Sequence, residues 1–157
     1  MSTARARQLL AAGPEMHDEA ARRLAETDQR YTAGRRAIVD ALIGSARPLT
    51  VPEILERAKR GSVPMSSAYR NLTVLVDAGV VHRLPGADEF VRYELAEELA
   101  GHHHHALCAT CGAITDIPTS GRLERALADA ARIAAEEHDF DVTGHRIDLL
   151  GLCADCR

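Results

Sequence analysis

Two pairs of cysteines constrain the fold of this chain more than any other feature. Cys108 and Cys111 form one CxxC pair, Cys153 and Cys156 form a second, and 41 residues separate the two pairs. Four thiolates presented by two such turns make a closed, tetrahedral zinc site. A redox-active CxxC is the alternative, but it normally stands alone. The spacing therefore predicts a structural zinc ion that joins the two ends of one domain.

Composition and charge favour a folded chain that resides in the cytoplasm. The 157 residues are 46% hydrophobic and 27% charged, and no apolar run approaches the roughly 20 residues of a membrane span. The N-terminus lacks the apolar core of a signal peptide. Residues 1–70 carry 12 Lys and Arg against 8 Asp and Glu, while residues 71–157 carry 7 against 15. This split suits a polyanion at the first half and cations at the second.

Residues 31–95 have the pattern of a winged helix-turn-helix domain. Thr32 can cap one helix, and Thr50 with Glu53 forms a capping box for the next helix, which Gly61 would end. The segments VVHRL and FVRYEL, on either side of a PGADE turn, predict the β-hairpin wing. The order of these elements predicts a DNA-binding module, and a small helical protein-interaction domain is the alternative.

The helix that follows SVPM is the expected recognition helix. It is predicted to begin at Ser66 or Ser67 and to end at Gly79. In a winged helix this helix enters the major groove, with its first residues toward bases and phosphates. Arginines early in the helix capped by Thr32 can add phosphate contacts. The predicted DNA-binding residues are Arg35, Ser66, Ser67, Tyr69, Arg70 and Asn71.

Residues 1–30 are predicted to form an N-terminal extension with a helix from about Pro14 to Gln29. This helix would pack on the winged helix or contact DNA through Arg22 and Arg23. Two histidines outside the clusters below are interpreted as ordinary surface residues: His17 and His138.

The end of the chain predicts a small α/β dimerisation domain, residues 102–157, after a hinge over 96–101. Strands are expected in the segment that runs into Cys108, in AITDIP and in DVTGHRIDLLGL, with a helix over 121–137. The resulting antiparallel sheet with one helix is too thin to be stable alone. Apolar residues of the last strand, including Ile147 and Leu149, are therefore expected to form a homodimer surface.

Four consecutive histidines, residues 102–105, precede the first CxxC. In an extended segment successive side chains point to opposite faces, so the run makes two pairs, each with its Cα atoms about 7 Å apart. Each pair can share one metal ion and needs further ligands from elsewhere. His82 and Glu94 in the wing can meet one pair, and Glu124 and His145 can meet the other. A solvated histidine run without a metal is the alternative.

In combination, these motifs resemble the ferric uptake regulator (Fur) family of bacterial metal-sensing repressors. The resemblance rests on RYTAGRRAIVDAL, SSAYRNLTVLVDAGVVHR, FVRYEL, HHHHALCATCG and HDFDVTGHRIDLLGLCADC, and it covers roughly residues 30–157. It implies a homodimer that binds a palindromic operator in double-stranded DNA when a regulatory metal is bound. Fe²⁺ and control of iron uptake are favoured, with Zn²⁺ and zinc uptake close behind. Mn²⁺ or Ni²⁺ sensing and peroxide sensing are alternatives within the family.

The resemblance also implies a ligand set for each metal site and a pair of DNA contacts. The structural zinc site corresponds to Cys108, Cys111, Cys153 and Cys156. The regulatory site corresponds to His82, Glu94, His103 and His105. The second site of the dimerisation domain corresponds to His102, His104, Glu124 and His145. The DNA-contacting pair corresponds to Tyr69 and Arg70.

This chain departs from the family pattern at two places in the regulatory site. Many members have a histidine just before the third helix, where this chain reads ARPLTVPE, so His82 is the expected ligand from the N-terminal domain. Some zinc sensors of the family place a cysteine in the regulatory site, whereas ELAEELAG has no thiol.

Two functions outside the family are disfavoured by the same residues. A zinc hydrolase needs an open coordination position and a general base in a cleft, for which Glu94 or Glu124 would serve, but the chain has no HExxH helix. A zinc storage protein would leave Tyr69 and Arg70 without a purpose. We therefore expect a regulator and not an enzyme.

Overall fold

The structure is a computed structural model that describes residues 13–58, 63–85 and 90–157. The predicted helix stop at Gly61, the tip of the wing and the start of the N-terminal extension lie outside the described residues.

The element order confirms the predicted α+β fold, with a winged helix-turn-helix first and a small α/β domain after it. The helices are α1 (Gly13–Glu26), α2 (Ala33–Leu42), α3 (Val51–Arg57), α4 (Met65–Asp77), α5 (Glu97–Ala100) and α6 (Gly121–His138). The strands are β1 (Leu49–Thr50), β2 (Val81–Pro85), β3 (Val91–Leu95), β4 (His104–Cys108), β5 (Ile114–Ile117) and β6 (Asp148–Gly151). The expected hinge contains the short helix α5.

Both predicted helix caps of the DNA-binding domain are present. The Thr32 side chain accepts a hydrogen bond from the backbone N–H of Arg35 at the start of α2. Oε2 of Glu53 accepts hydrogen bonds from the backbone N–H and the hydroxyl of Thr50, each at 2.7 Å. These side chains satisfy backbone and hydroxyl groups that the helix starts would otherwise leave unpaired.

One apolar core holds α1 to α4 and the first sheet together. Its fully buried members come from every helix of this domain: Leu24, Ile38, Ile54, Leu72 and Leu75. Helix α1, the described part of the N-terminal extension, contributes Met16, Ala20 and Leu24 to this core. The extension therefore packs on the winged helix, as one of the two predicted alternatives has it.

The prediction that His17 is an ordinary surface residue is wrong. Its Nδ1 lies 2.6 Å from the hydroxyl of Tyr31 and its Nε2 lies 2.8 Å from Oδ1 of Asp40. His17 is only 9% exposed because it lies on the face of α1 that packs against α2. It joins α1 to α2 by hydrogen bonds within an otherwise apolar contact. His138 is exposed at the end of α6, as predicted.

The first sheet is the predicted wing, extended by the short strand β1. The strand order is β1-β3-β2, and both pairs are antiparallel. Gly79 adopts a left-handed φ of 66° after α4, which turns the chain into β2. His82 lies directly opposite Glu94 in the ladder, so both side chains project from the same face of the wing.

The second sheet contains one strand pair that differs from the expected antiparallel arrangement. The order is β5-β4-β6, with β4 and β5 antiparallel but β4 and β6 parallel. After β5 the chain passes through α6 and returns to the end of the sheet where β5 finished, so β6 must run in the direction of β4. The last strand is also shorter than predicted, because its ladder begins only at Asp148.

Helix α6 covers little of its own domain. Ser120 caps its start by accepting a hydrogen bond from the N–H of Leu123, and Asp139 ends it in a left-handed conformation. No residue of α6 is buried, and exposed apolar side chains line α6 and β6, among them Leu123, Ile133, Leu149 and Leu150. No helix within the described ranges is both long and apolar enough to cross a membrane.

Candidate metal centres and nucleic-acid interface

The four cysteines meet as the spacing predicts. Their sulfur atoms all lie within 4.8 Å of one another, and Sγ of Cys111 is 3.7 Å from Sγ of Cys153. All four are free thiols. The first pair sits in a tight turn closed by Gly112, which has a φ of 69° and whose N–H donates to the carbonyl of Cys108. This turn and the end of β6 bring the two CxxC pairs together.

The electrostatics of the thiol cluster fit a bound Zn²⁺. Backbone N–H groups of Cys111, Cys153 and Thr110 lower the pKa of Cys108 to about 6. The hydrogen bond with Cys153 and the other neighbouring thiols raise the pKa of Cys156 to about 12. One thiolate therefore forms readily while further ionisation is opposed by negative charge already present. A cation at the centre relieves this repulsion, and four thiolates form the closed ligand set of structural zinc.

A second group of ligands spans the hinge and is called here the cross-hinge cluster: Glu94, His103, His105 and Asp116. Nε2 of His103 and Nε2 of His105 each lie 3.1 Å from the same carboxylate oxygen, Oε2 of Glu94. Oδ1 of Asp116 lies 4.0 Å and 3.9 Å from these two nitrogen atoms. Glu94 comes from the wing and the other three from the second domain, so the cluster joins the two.

The cross-hinge cluster is buried and fits a divalent cation. Burial alone would raise the pKa of Glu94, but hydrogen bonds from His103 and His105 outweigh it and lower that pKa to about 2. Nδ1 of His103 lies 3.0 Å from the carbonyl oxygen of Gly101. Donation of the Nδ1 proton there favours the tautomer that metal ligation needs, in which Nε2 would give its lone pair to an ion in place of the proton it shares with Glu94.

The sequence pattern did not predict Asp116 as a member of the cross-hinge cluster, and His82, which it did predict, is not in that cluster. Asp116 lies opposite His105 in the ladder of β4 and β5. The pairing of Leu107 with Ile114 around the CxxC turn sets this register, so counting back along the hairpin would have found Asp116. His82 is exposed on the wing and lines a cavity of about 210 Å³ together with Glu94, His103 and His105. The wing face it shares with Glu94 holds it at the cavity wall, outside ligand distance.

The other face of the histidine run carries the second-site cluster: His102, His104, Glu124 and His145. Nε2 of His104 lies 2.9 Å from Oε1 of Glu124, and Nε2 of His102 lies 2.9 Å from Nε2 of His145. The hydrogen bond from His104 lowers the pKa of Glu124, and charges on His102 and His145 add to the effect. All four predicted residues are brought together, because the side chains of the histidine run alternate between the two clusters.

The recognition helix presents a mixed set of exposed and half-buried groups. On α4, Ser66, Tyr69 and Arg70 are exposed, while Ala68, Leu72 and Leu75 face the core. Tyr69 is 56% exposed, which is high for an aromatic side chain. A methyl group at Gly34 would approach Nδ2 of Asn71 to 3.2 Å, so Asn71 lies against α2. Ser67 is half-buried near the start of the helix.

Arg35 lies at the start of α2, beside the recognition helix. Its guanidinium donates to the carbonyl of Arg30 and, at 3.0 Å, to Oε1 of Gln29. Arg36, the next residue, stacks its guanidinium over the ring of Tyr31 with 5.0 Å to the ring centroid. The two arginines therefore have defined positions at the edge of the recognition surface.

A winged helix followed by three clusters of metal-ligand residues, one of which spans the hinge, defines the class of metal-binding transcriptional regulators. Comparison with known proteins agrees. Residues 26–150 match the Ferric uptake regulator family. The peroxide operon regulator of Bacillus subtilis is 32% identical over 141 residues, covering 88% of this chain and 91% of that protein. The peroxide-responsive repressor PerR of Staphylococcus aureus is 31% identical over 144 residues, covering 89% and 90%.

Solved structures show the same fold. The ferric uptake regulator of Helicobacter pylori superposes with a TM-score of 0.72 at 21% identity, covering 91% of this chain and 92% of that one. A zinc-bound manganese uptake regulator gives a TM-score of 0.62 at 28% identity, covering 88% and 98%. The chain belongs to the ferric uptake regulator family, and it is a metal-binding transcriptional repressor and not an enzyme.

Proposed function

We propose that the chain is a homodimeric repressor that binds a palindromic operator when Fe²⁺ occupies the cross-hinge cluster, and that it controls metal-ion homeostasis. A single observation carries this proposal: one carboxylate oxygen of Glu94, from the wing, faces Nε2 of both His103 and His105 from the second domain. Shared ligation across the hinge fixes the angle between the domains. A ligand that favours one angle shifts the population toward it.

The domain angle governs DNA binding because two recognition helices must reach successive major grooves at once. Half-sites one helical turn apart require these helices to be about 34 Å apart. The exposed apolar side chains of α6 and β6, such as Ile133 and Leu150, support a dimer formed through the second domain. In that dimer Ser66, Tyr69 and Arg70 contact the bases and backbone of the groove, with Arg35 at the phosphates and with Ser67 and Asn71 supporting the helix.

The donor set of the cross-hinge cluster favours Fe²⁺ or Mn²⁺ over Zn²⁺. It offers two imidazoles and two carboxylates and no thiolate, and oxygen-rich sites of this kind suit harder divalent ions. Zn²⁺ and Ni²⁺ remain competitors because imidazole binds both. The bound ion would neutralise the negative charges of Glu94 and Asp116. His82 lines the same cavity as Glu94, His103 and His105 and is the proposed further ligand from the wing, which completes the predicted regulatory set.

The remaining two clusters have different roles. Zn²⁺ at Cys108, Cys111, Cys153 and Cys156 holds the second domain together and is permanent. The second-site cluster binds a further divalent ion through His102, His104, Glu124 and His145. Its convergent Nε2 atoms support this assignment, since two imidazole nitrogen atoms 2.9 Å apart need a proton or a cation between them.

Peroxide sensing is a second candidate that a specific observation favours. The relatives in Bacillus subtilis and Staphylococcus aureus are a peroxide operon regulator and a peroxide-responsive repressor. Two histidines with carboxylates and an open side are the ligand class of non-haem Fe²⁺ proteins that react with oxygen species. The cavity beside the cross-hinge cluster gives peroxide access to it. Peroxide added to the Fe²⁺ form should then release DNA and add one of its oxygen atoms to His103 or His105, while the other oxygen atom leaves as water.

Fluorescence anisotropy on the intergenic DNA upstream of the coding region tests the proposal. The protein keeps its zinc and is titrated with buffered Fe²⁺, Mn²⁺, Ni²⁺ and Zn²⁺. Tight DNA binding in the presence of Fe²⁺ supports the iron assignment. If only another ion triggers tight binding, that ion is the regulatory metal and the iron assignment is wrong. Peptide mass spectrometry after peroxide treatment of the Fe²⁺ and Mn²⁺ forms decides the second candidate. We expect oxygen to be added to His103 or His105 only in the Fe²⁺ form. Release of DNA by a peroxide-treated protein whose histidines are unmodified would contradict the second candidate.

A further inference from the structure

The hinge helix α5 contacts the second-site cluster through one side chain. Oε2 of Glu97, in the first turn of α5, lies 2.6 Å from Nδ1 of His102. We propose that Glu97 is the positioning residue of the second-site cluster: its carboxylate holds the His102 imidazole with Nε2 toward the cluster, and this contact ties α5 to metal binding there. The inference rests on the proposed metal site at His102, His104, Glu124 and His145.

The contact fixes the tautomer that ligation requires. A carboxylate that accepts a hydrogen bond from Nδ1–H keeps the proton on Nδ1 and leaves the lone pair on Nε2. Nε2 of His102 lies 2.9 Å from Nε2 of His145 and 3.4 Å from Oε2 of Glu124, so it already points into the cluster. Glu97 contacts the other ring nitrogen, Nδ1, and is not one of the four residues of the cluster. The arrangement is that of a carboxylate, an imidazole and a metal position in line.

His102 needs such support more than its neighbour His104. The ladder of β4 begins at His104, which is 3% exposed and held between β5 and α6. His102 precedes that ladder, and its side chain is 33% exposed. The backbone therefore fixes His104, whereas the ring of His102 depends on a side-chain partner for its orientation. Glu97 is that partner.

Helix α5 is attached to the DNA-binding domain. The N–H of Ala96 donates to the carbonyl of Val80 at 3.0 Å, and Leu99 and Ala100 pack against the core of α1 to α4. Gly101 then turns the chain toward β4 with a φ of 81°. Glu97 therefore extends from the first domain to a ligand of the second domain across this turn.

Glu94 and Glu97 make parallel connections to the two faces of the histidine run. Glu94 contacts His103 and His105 on one face, and Glu97 contacts His102 on the other. Both carboxylates move with the DNA-binding domain. A metal ion at the second-site cluster thus restrains the hinge through Glu97, as an ion at the cross-hinge cluster restrains it through Glu94. By linkage, a fixed hinge must also strengthen metal binding at the second site.

Co²⁺ affinity in a variant that lacks the cross-hinge histidines tests the positioning role. The full chain, with zinc retained, carries His103→Ala and His105→Ala, so that the second-site cluster is the remaining His and Glu cluster of the described residues. Absorption and chelator competition then give the Co²⁺ dissociation constant with and without Glu97→Gln. We expect Glu97→Gln to weaken binding about 10- to 100-fold, as loss of outer carboxylates does in other metal sites. Thiolate absorption bands report any exchange of Co²⁺ for the zinc.

A neighbouring glutamate provides the matched control. Glu98 is in the same turn of α5, its side chain is 63% exposed, and its ion pair with Arg23 is 3.6 Å long. Glu98→Gln should leave the Co²⁺ dissociation constant unchanged. An equal constant for Glu97→Gln and Glu98→Gln would overturn the positioning role while leaving the second site in place. Absence of any Co²⁺ bound beyond the zinc would overturn the second site itself, and the inference with it.

Hydrogen exchange of the hinge tests the tie between α5 and the metal. In the same background, Co²⁺ should slow amide exchange over 96–101 in the protein with Glu97, and this protection should be lost in Glu97→Gln at saturating Co²⁺. A merely structural ion pair between Glu97 and His102 would give the same protection with and without Co²⁺. That result would contradict the proposed connection.

Discussion

Residues 16–95 enclose a continuous apolar core, whereas the buried apolar side chains described in residues 102–157 are Leu107, Cys108 and Ile114. The first domain has the fully buried Leu24, Ile54 and Leu72 on three different helices. The long helix α6 of the second domain buries no residue. The first domain is stabilised by its own side chains, whereas the second has little core of its own, which supports the proposed stabilisation by metal ions and by a partner surface.

This contrast matches the division of tasks between the domains. A recognition surface must keep its shape while the domain moves, and a packed core gives it that rigidity. A sensor domain must respond to an ion, and a domain with little core of its own responds strongly to one. In the proposed function, the cross-hinge cluster transmits the response, with Glu94 on one side and His103 and His105 on the other.

The largest expected effect comes from breaking the thiol cluster with Cys108→Ser. Structural zinc contributes about 10–16 kcal/mol of folding free energy in small domains, which the described core of residues 102–157 does not replace. Amide exchange should become fast throughout this domain while α2 and α4 stay protected. Thr110→Ser, an exposed position in the same turn, is the control and should change nothing. If the amides of β4 remain protected from exchange in Cys108→Ser, the second domain is stable without its zinc.

A smaller effect is expected from Leu72→Ala in the first domain. Leu72 is fully buried, so the substitution should lower the free energy of unfolding by about 2–5 kcal/mol, measured by urea denaturation. Leu150→Ala removes the same atoms from a residue that is 75% exposed. It should leave the unfolding of the first domain unchanged and shift the monomer–dimer equilibrium seen by analytical ultracentrifugation. Equal destabilisation by both variants would remove the contrast between the domains.

The smallest effect concerns the capping box of α3. Burial alone would raise the pKa of Glu53, but hydrogen bonds from Arg47 and Thr50 outweigh it and lower that pKa to about 2. A pKa lower in the folded chain than the unfolded value of about 4.3 gives stability that is present above that value and lost as the pH falls toward 2. Glu53→Gln should therefore cost about 0.5–1 kcal/mol near pH 6, and this cost should shrink as the pH falls toward 2.

The capping prediction is checked by urea unfolding of the wild type and Glu53→Gln at several pH values. Loss of metal at low pH is common to both proteins, so it cancels in their difference. A difference that stays constant down to pH 2 would mean that the Glu53 carboxylate does not carry the effect.

The sequence predicted the first domain better than the second, for a physical reason. Caps at Thr32 and Thr50, the left-handed Gly79 and the apolar spacing of α4 are local signals, and local signals determine a domain whose elements pack in chain order. His17 was mistaken because a polar residue among charged neighbours on α1 resembles surface, and only the packing of α1 against α2 shows that it is buried.

In the second domain, long-range contacts decide what local patterns cannot. The alternation of the histidine run predicted its division between two clusters correctly. Asp116 joined the cross-hinge cluster through the register of β4 and β5, and Glu97 joined His102 through a helix that the hinge composition did not indicate. β6 pairs in parallel with β4 because of the position to which α6 returns the chain. No single segment of the sequence predicts that position.

Operator binding by three proteins tests whether the cross-hinge cluster controls DNA binding: the wild type, His103→Ala with His105→Ala, and His138→Ala as a control at an exposed histidine outside the clusters. Fluorescence anisotropy with and without the activating metal gives each affinity, and circular dichroism checks that all three are folded. We expect metal to strengthen operator binding by the wild type and by His138→Ala, and we expect most of this metal-dependent gain to be lost in the double variant, in which only the connection through Glu97 remains. A metal-dependent gain that persists undiminished without His103 and His105 would contradict the proposed function, because the hinge would then be set by another site.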